Sequence, residues 1–323
     1  MKRNQHIYCY PFTDVGNAYI NKTIRLWQSM GYVVKACPDG LISDWRLSRE
    51  HKTIVLNWYE DWMLRTKRPV WLSLSWALLL LGVFSLSSRN IIWIRHNYQS
   101  HDTQGRSIAR RILVFFLTHA ASSVVTHRPV ADISSTIVPH PLVTHSLHVE
   151  NAERDIDFLW FGMVREYKRL DMLLSEWPVE QKLMLLGESS NAALSERLLR
   201  IISQRQLKVE WQNRFIPDDE LNECLRRTKF VVLAHDDKTI IVSGAFYHAI
   251  ACGANVVIRQ SEFGRFAANQ HDYVHLVDMS VLSAAIQNLR HVPANNVLRD
   301  ATAHYGDSAC CAAWTEVIAA RGN

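Results

Sequence analysis

The strongest constraint in this sequence is an alternation of short, unbroken apolar segments with segments of helical period, run through twice. HIYCY (6–10), YVVKA (32–36), TIVLNWY (53–59) and NIIWIRHN (90–97) read as strands of a first run. Between them Ile20, Ile24 and Trp27 fall at helical spacing with Gly31 as the stop, and a second helix is expected over residues 104–119. SSVVTH and TIVPHP complete that run. The pattern restarts after the polar stretch NAERDID. Strands are expected at DFLWFG (157–162), KLMLLG (182–187), KVEWQ, KFVVLA (229–234), NVVI (255–258) and YVHLVD. Helices are expected around 170–175, 191–202 and 218–227, within SGAFYHAIACG, and twice more at the end. Strands apolar throughout, separated by helices, demand a parallel sheet covered on both faces.

The expected fold is therefore α/β: two Rossmann-like domains facing across a cleft, residues 1–150 and 151–323, with the last helix packing back on the first domain. The 323 residues suffice for two such domains. With 48% hydrophobic and 21% charged residues, the chain is not disordered. Its formal charge of +5 suits anionic substrates or an anionic membrane surface, but no dense Lys/Arg stripe argues for nucleic acid. The six cysteines form no CxxC pair, so free buried thiols and a reducing compartment are expected. Residues 1–10 lack the apolar core of a signal peptide, which adds to a cytoplasmic expectation.

VWLSLSWALLLLGVFSL (70–86) carries no charge over 17 residues, with Arg65, Lys67 and Arg68 before it and Arg89 after it. It is short for a membrane span, which takes about 20 such residues. A helix resting on headgroups with its cations snorkelling is one reading. A helix covered by its own domain is the other.

Four segments place polar chemistry at strand ends, where ligands of such sheets gather. PFTDVGN (11–17) follows the first strand and opens a helix, with Thr13, Asp14, Gly16 and Asn17 available for capping and close approach. It is not the GxGxxG dinucleotide fingerprint, so a nicotinamide or flavin cofactor loses weight. IRHNYQSHD sets His96, Asn97, His101 and Asp102 at the end of another strand, where a histidine beside a carboxylate can act as a base. In FGMVREYKRLDMLL, Arg165 and Lys168 stand three apart near a helix start, which makes an anion pocket suited to a pyrophosphate. In AHDDKTIIVSGAFYHAIACG, Ser243 and Gly244 open a helix whose amides can hold phosphate, and His248 lies further in. A metal at His235, Asp236 and Asp237 is not favoured by their adjacent positions.

In these four segments the chain resembles bacterial glycosyltransferases of the two-Rossmann, GT-B type. The resemblance implies that Arg165 and Lys168 hold the donor diphosphate, with Ser243, Gly244 and His248 also on the donor side. It puts Thr13, Gly16, Asn17, Asn97 and His101 on the acceptor side. It implies a UDP- or GDP-linked sugar as substrate, no cofactor and no metal. The acceptor would be a saccharide or a lipid-linked hydroxyl in surface polysaccharide synthesis, reached from the inner face of the membrane. Many retaining members carry two glutamates eight positions apart in the fourth segment; the matching positions here are Ile240 and His248. The stereochemical outcome therefore stays open. For an inverting reaction Asp14 is the first candidate base and His96 the second. A non-hydrolysing sugar-nucleotide epimerase and a non-enzymatic sugar-binding module are the alternatives.

Overall fold

Strand residues alternate between two faces, so each buried strand must find apolar partners on both sides. A computed structural model, which describes residues 5–12, 17–64, 68–97, 107–143, 153–235 and 241–319, shows how the chain does this. The first run folds as β1 (His6–Tyr10), α1 (Ala18–Ser29), β2 (Val33–Ala36), α2 (Asp39–Ser43) and β3 (Lys52–Asn57), followed by α3 (Val70–Ser87) and β4 (Asn90–Ile94). It ends with α4 (Ser107–Ala120), β5 (Ser123–Thr126) and β6 (Thr136–Ile137). The strands form a parallel six-stranded sheet in the order β2-β1-β3-β4-β5-β6, with His6 in register with Val33 and Lys52. Tyr8, Ile54, Leu56, Ile91 and Trp93 point to one face and pack against α3 and α4. Ile7, Cys9, Val55, Ile92 and Ile94 point to the other, under α1.

The second run folds as β7 (Ile156–Phe161), α5 (Leu170–Glu176), β8 (Leu183–Leu186), α6 (Ala192–Gln204), β9 (Val209–Gln212) and α7 (Asp218–Arg226). It continues through β10 (Thr228–Leu233), α8 (Gly244–Ala251), β11 (Asn255–Arg259), α9 (Glu262–Gln270), β12 (Val274–Val277), α10 (Leu282–Gln287) and α11 (Ala294–Tyr305). Its sheet is again parallel and six-stranded, in the order β12-β11-β10-β7-β8-β9. Phe158, Trp160, Val232 and Leu185 meet Leu173, Leu174, Trp177 and Leu198 of the helices in one core. Asn191 caps α6 by accepting from the Leu194 N–H at 3.1 Å, as its place before an apolar-periodic run predicts. The helices α9 and α10 have no counterpart in the sequence reading.

The final helix, α12 (Asp307–Ala319), belongs with the first sheet. Trp314 meets Trp27 of α1 edge to face at 5.1 Å, and Lys22 pairs with Asp307 at 2.7 Å. The chain thus divides into a first unit of Met1–Pro141, Thr239–Val242 and Tyr305–Asn323, and a second of Leu142–Lys238 and Ser243–His304. All six cysteines are free, and Cys9, Cys37, Cys252 and Cys310 are buried.

In each sheet the first strand is the point where strand order reverses. β1 has β2 on one side and β3 on the other; β7 has β8 on one side and β10 on the other. Ligands of open α/β sheets bind beyond the carboxyl ends of the strands at such a point.

α3 buries Leu74, Ala77, Leu81 and Phe84, at spacings of one helical stripe, in the core of the first unit. The helix is not covered by its own unit, however: Trp71, Leu72, Trp76, Leu79, Val83 and Leu86 are exposed. By length and composition it could also cross a membrane, with a mean hydropathy of 1.9 over 18 residues, only 28% of them buried.

Candidate active site

In the second unit, the end of β7 is built around two glycines. Gly162 has φ +105° and donates its N–H to Leu186 O at 2.9 Å; Gly187, at the end of β8, has φ +151°. A Cβ on Gly187 would lie 2.1 Å from Gly162 O, so the two backbones touch at a distance that only glycine permits. The chain then turns through a short 3-10 helix, Glu166–Lys168, and a left-handed Arg169 into α5. This turn folds Lys168 back over the strand end. Its Nζ lies 5.1 Å from the Trp160 ring centroid, and the residue is only 9% exposed.

Burial, and then repulsion from Arg165, pulls the Lys168 ammonium down to about 8. Among the described residues it has no carboxylate partner. Arg165 stays exposed on the same loop, its Nε 3.1 Å from Met163 Sδ. The structure therefore brings the two cations of the sequence motif together, one buried and one solvated. An ammonium kept out of water with no counterion among the described residues is arranged for an anion to arrive.

The neighbouring strand β10 supplies the other side of this position. His235 follows its carboxyl end, 9% exposed, with its ring 6.0 Å from Tyr167 of the Lys168 loop. Ser243 is the buried N-cap of α8 and makes no side-chain capping bond. Gly244, the first residue of α8, is exposed with open space where a side chain would be, at the helix end whose amides have no intrahelical partner. His248 is one turn further on. Its Nε2 donates to Asn222 Oδ1 at 2.7 Å, its ring meets Phe161 at 5.6 Å, and burial draws it down to about 4. That contact sets α8 beside the end of β7, and it ties His248 to α7.

In the first unit the strand ends carry a buried histidine cluster. His96, just beyond β4, stacks on Trp58 at 4.1 Å and sits 3.1 Å from Asn57 Oδ1 through Nε2. His127, beyond β5, lies 2.8 Å from Val138 O and 3.1 Å from the Tyr19 hydroxyl. His140 meets the rings of both Tyr19 and His127. Burial holds His96 and His140 well below the usual imidazole range and His127 at about 4, so all three are neutral. The Ile241 backbone joins this region, its N–H donating to His96 O at 3.2 Å and its carbonyl accepting from Arg128 at 2.6 Å. Asn97 follows His96 at the same strand end, half-buried, and Asn17 stands at the start of α1 without a side-chain capping bond. Thr13, Asp14, Gly16 and His101 lie outside the described residues.

The sequence reading missed Trp58, Asn57, His127 and Tyr167. The signal available was position: each follows or ends a strand, or shares the Lys168 loop. Conversely, a cavity of about 470 Å³ lies at the amino ends of β7, β8 and β9, away from this chemistry. Of its charges, Asp155 pairs with Arg227 and Asp157 with Lys229.

No family model and no curated protein matches the sequence. Solved structures do match the fold. HepE of Anabaena, solved with UDP, shares 12% identity at a TM-score of 0.67, over 98% of this chain and 100% of its own. AviGT4, a glycosyltransferase involved in avilamycin A biosynthesis, matches at a TM-score of 0.60 and 12% identity, over 98% and 97%. A UDP-forming trehalose-phosphate synthase of Burkholderia vietnamiensis matches at 0.60 and 11%, over 88% and 78%. With two parallel Rossmann-like sheets built as theirs are, the chain has the GT-B fold of these glycosyltransferases.

Proposed function

We propose that this chain transfers a sugar from a nucleotide-diphosphate donor to an acceptor hydroxyl. The observation that carries the reading is Lys168: a buried ammonium at the switch point of the second sheet, without a carboxylate among the described residues. The HepE structures with UDP and with UDP-glucose support a UDP-linked donor. In the reaction the bond from the anomeric carbon to the diphosphate oxygen breaks, and the acceptor oxygen forms the new bond. Lys168, Arg165 and the first amides of α8 stabilise the charge that grows on the leaving diphosphate. These cations and amides need no divalent metal to do so.

The acceptor proton requires a base if the configuration inverts. Asp14 is the first candidate and His96 the second. His96 is neutral, and Asn57 holds its Nε2, so a proton it accepts goes to Nδ1. Thr13, Gly16, Asn17, Asn97 and His101 would border the acceptor.

The acceptor we infer is a saccharide or lipid-linked hydroxyl in surface polysaccharide synthesis, met at the inner face of the membrane. The exposed apolar side of α3 supports this, extended by Ile108, Phe115 and Phe116 of α4. Exposed Arg68, Arg89 and Arg111 border it, a charge pattern matched to anionic headgroups.

The test is release of free nucleoside diphosphate from a panel of UDP- and GDP-sugars, with product analysis for a new glycoside. Loss of turnover on Lys168→Ala together with Arg165→Ala is expected. Turnover that survives both changes would sink the assignment, and an isomerised nucleotide sugar would make the chain an epimerase. Binding without turnover would make it a sugar-binding module.

A further inference from the structure

Asp300 and His304 stand one turn apart on α11, and His271 closes α9 just before β12. Residues four apart share a helix face, so α11 offers a carboxylate and an imidazole to the same neighbour. His271 Nδ1 lies 2.6 Å from Asp300 Oδ2, and His304 Nδ1 lies 3.4 Å from Asp300 Oδ1. The two imidazoles are perpendicular, 5.2 Å between centroids. One donor atom from each of the three residues lies within 4.8 Å of the other two. The cluster is at the amino end of the second sheet, remote from the carboxyl ends where Lys168 lies. It adjoins a cavity of about 370 Å³ lined by His271, Tyr273, Arg290, Asn296 and Asp300 among others.

We propose that His271, Asp300 and His304 bind a zinc-class divalent transition-metal ion, with water from the adjoining cavity in the fourth position. The ligand set decides the class. Two imidazole nitrogens and one carboxylate suit zinc, whereas magnesium and calcium need near-complete oxygen shells. Bonds of about 2.0–2.1 Å in a tetrahedron set ligand atoms roughly 3.4 Å apart. The most distant pair must therefore close by up to about 1.4 Å and the His271–Asp300 pair must open by about 0.8 Å. His304, 48% exposed, can rotate away from the Asp300 carbonyl that its Nδ1 meets at 2.9 Å to do its part. The support expected behind such a ligand is present too: the Tyr273 hydroxyl donates to Asp300 Oδ2 at 2.9 Å and orients the carboxylate. A bound ion would clamp the exit of α9 to α11. The inference is independent of the transferase reading, since no step of that chemistry uses these residues.

Calorimetric titration of the chelator-stripped full chain with Zn²⁺ tests it, beside His304→Ala, Asp300→Asn and, as a control, the exposed His119→Ala. The expected result is one ion per chain, a raised Tm, and binding weakened at least tenfold in the first two variants but not in the third. Should a variant fail to fold, the visible spectrum of the wild-type chain with Co²⁺ decides: tetrahedral bands support the site, and an octahedral or absent spectrum overturns it. Zinc bound equally well without His304, or not at all, likewise overturns it.

Discussion

Lys168 Nζ fills the space that Gly162 leaves vacant at the end of β7: a Cβ at residue 162 would stand 2.7 Å from it. The glycine and the lysine thus form one device, in which an absent side chain admits an ammonium that water would otherwise solvate. Holding Lys168 at about 8 against an ordinary 10.5 corresponds to about 3 kcal/mol of cost at neutral pH. Its folded value is depressed, so that cost is complete below pH 8 and disappears as pH approaches 10.5. Lys168→Met should therefore stabilise the fold at pH 7 by roughly 1–3 kcal/mol, less the lost contact with Trp160, while weakening nucleoside diphosphate binding. Denaturation curves and UDP titration on the same variant check both halves; a destabilised variant that binds normally contradicts both.

The same titration should appear in the rate. Lys168 must be protonated to meet the diphosphate, so kcat/KM for the donor should fall as pH rises through about 8. A bound diphosphate favours the ammonium, so the fall in kcat should come at higher pH. A donor kcat/KM flat from pH 7 to 10 would mean that Lys168 is not the diphosphate's partner.

Gly187→Ala asks whether the backbone contact behind this device can relax. The added Cβ would meet Gly162 O at 2.1 Å, and a backbone carbonyl just past a central strand cannot swing aside as a side-chain tip can. With the strain of φ +151°, a loss of about 3 kcal/mol or more is expected. Thermal unfolding measures it, and a Tm within a few degrees of wild type would show that the loop gives way.

Much of this fold is legible from periodicity alone, because strands buried on both faces leave unbroken apolar runs such as IIWI and FLWF. The cationic loop is legible too, since Arg165 and Lys168 stand in one short motif beyond a strand. What the sequence does not display is burial. Arg165 and Lys168 look alike as letters, yet one is exposed and the other lies under a turn set by the left-handed Arg169. The histidine cluster is equally hidden, because His96, His127 and His140 come from three separate strand ends and meet only through the order of the sheet. The sequence also stops short on α3, where apolarity all round cannot say which stripe its own unit covers.

The neutral histidines predict acid sensitivity. His96, His127, His140 and His248 all have folded values below their unfolded value near 6.5. The unfolded chain therefore binds more protons across that window, and stability falls as pH drops from about 6.5 to about 4. Glu60 opposes this. Buried with Oε2 on the Trp93 indole N–H, its carboxyl is raised to about 7, so it gains stability on acidification and offsets roughly one histidine. The remaining three still lower stability over that window. Denaturant unfolding followed by tryptophan fluorescence should show the midpoint falling as pH drops from about 6.5 to about 4.5; an unchanged midpoint would mean that the cluster accepts protons in place.

The exposed side of α3 gives the prediction that bears on where the chain works. Leu72, Trp76 and Leu79 lie along one exposed stripe, while Leu74, Ala77 and Leu81 hold the helix to its core. Replacing the exposed three by serine removes apolar surface without opening a cavity, so stability should change little. If the stripe enters a lipid interface, each loses on the order of 1 kcal/mol of transfer free energy, roughly a hundredfold in partitioning together. Co-sedimentation with phosphatidylglycerol vesicles should then drop sharply in the triple variant. Wild-type binding should weaken at high salt and on neutral phosphatidylcholine, because Arg68, Arg89 and Arg111 supply the electrostatic part. Vesicle binding equal in the wild type and the triple variant would remove α3 from the membrane, and a salt-resistant dimer lost in the variant would assign the stripe to a second copy of the chain.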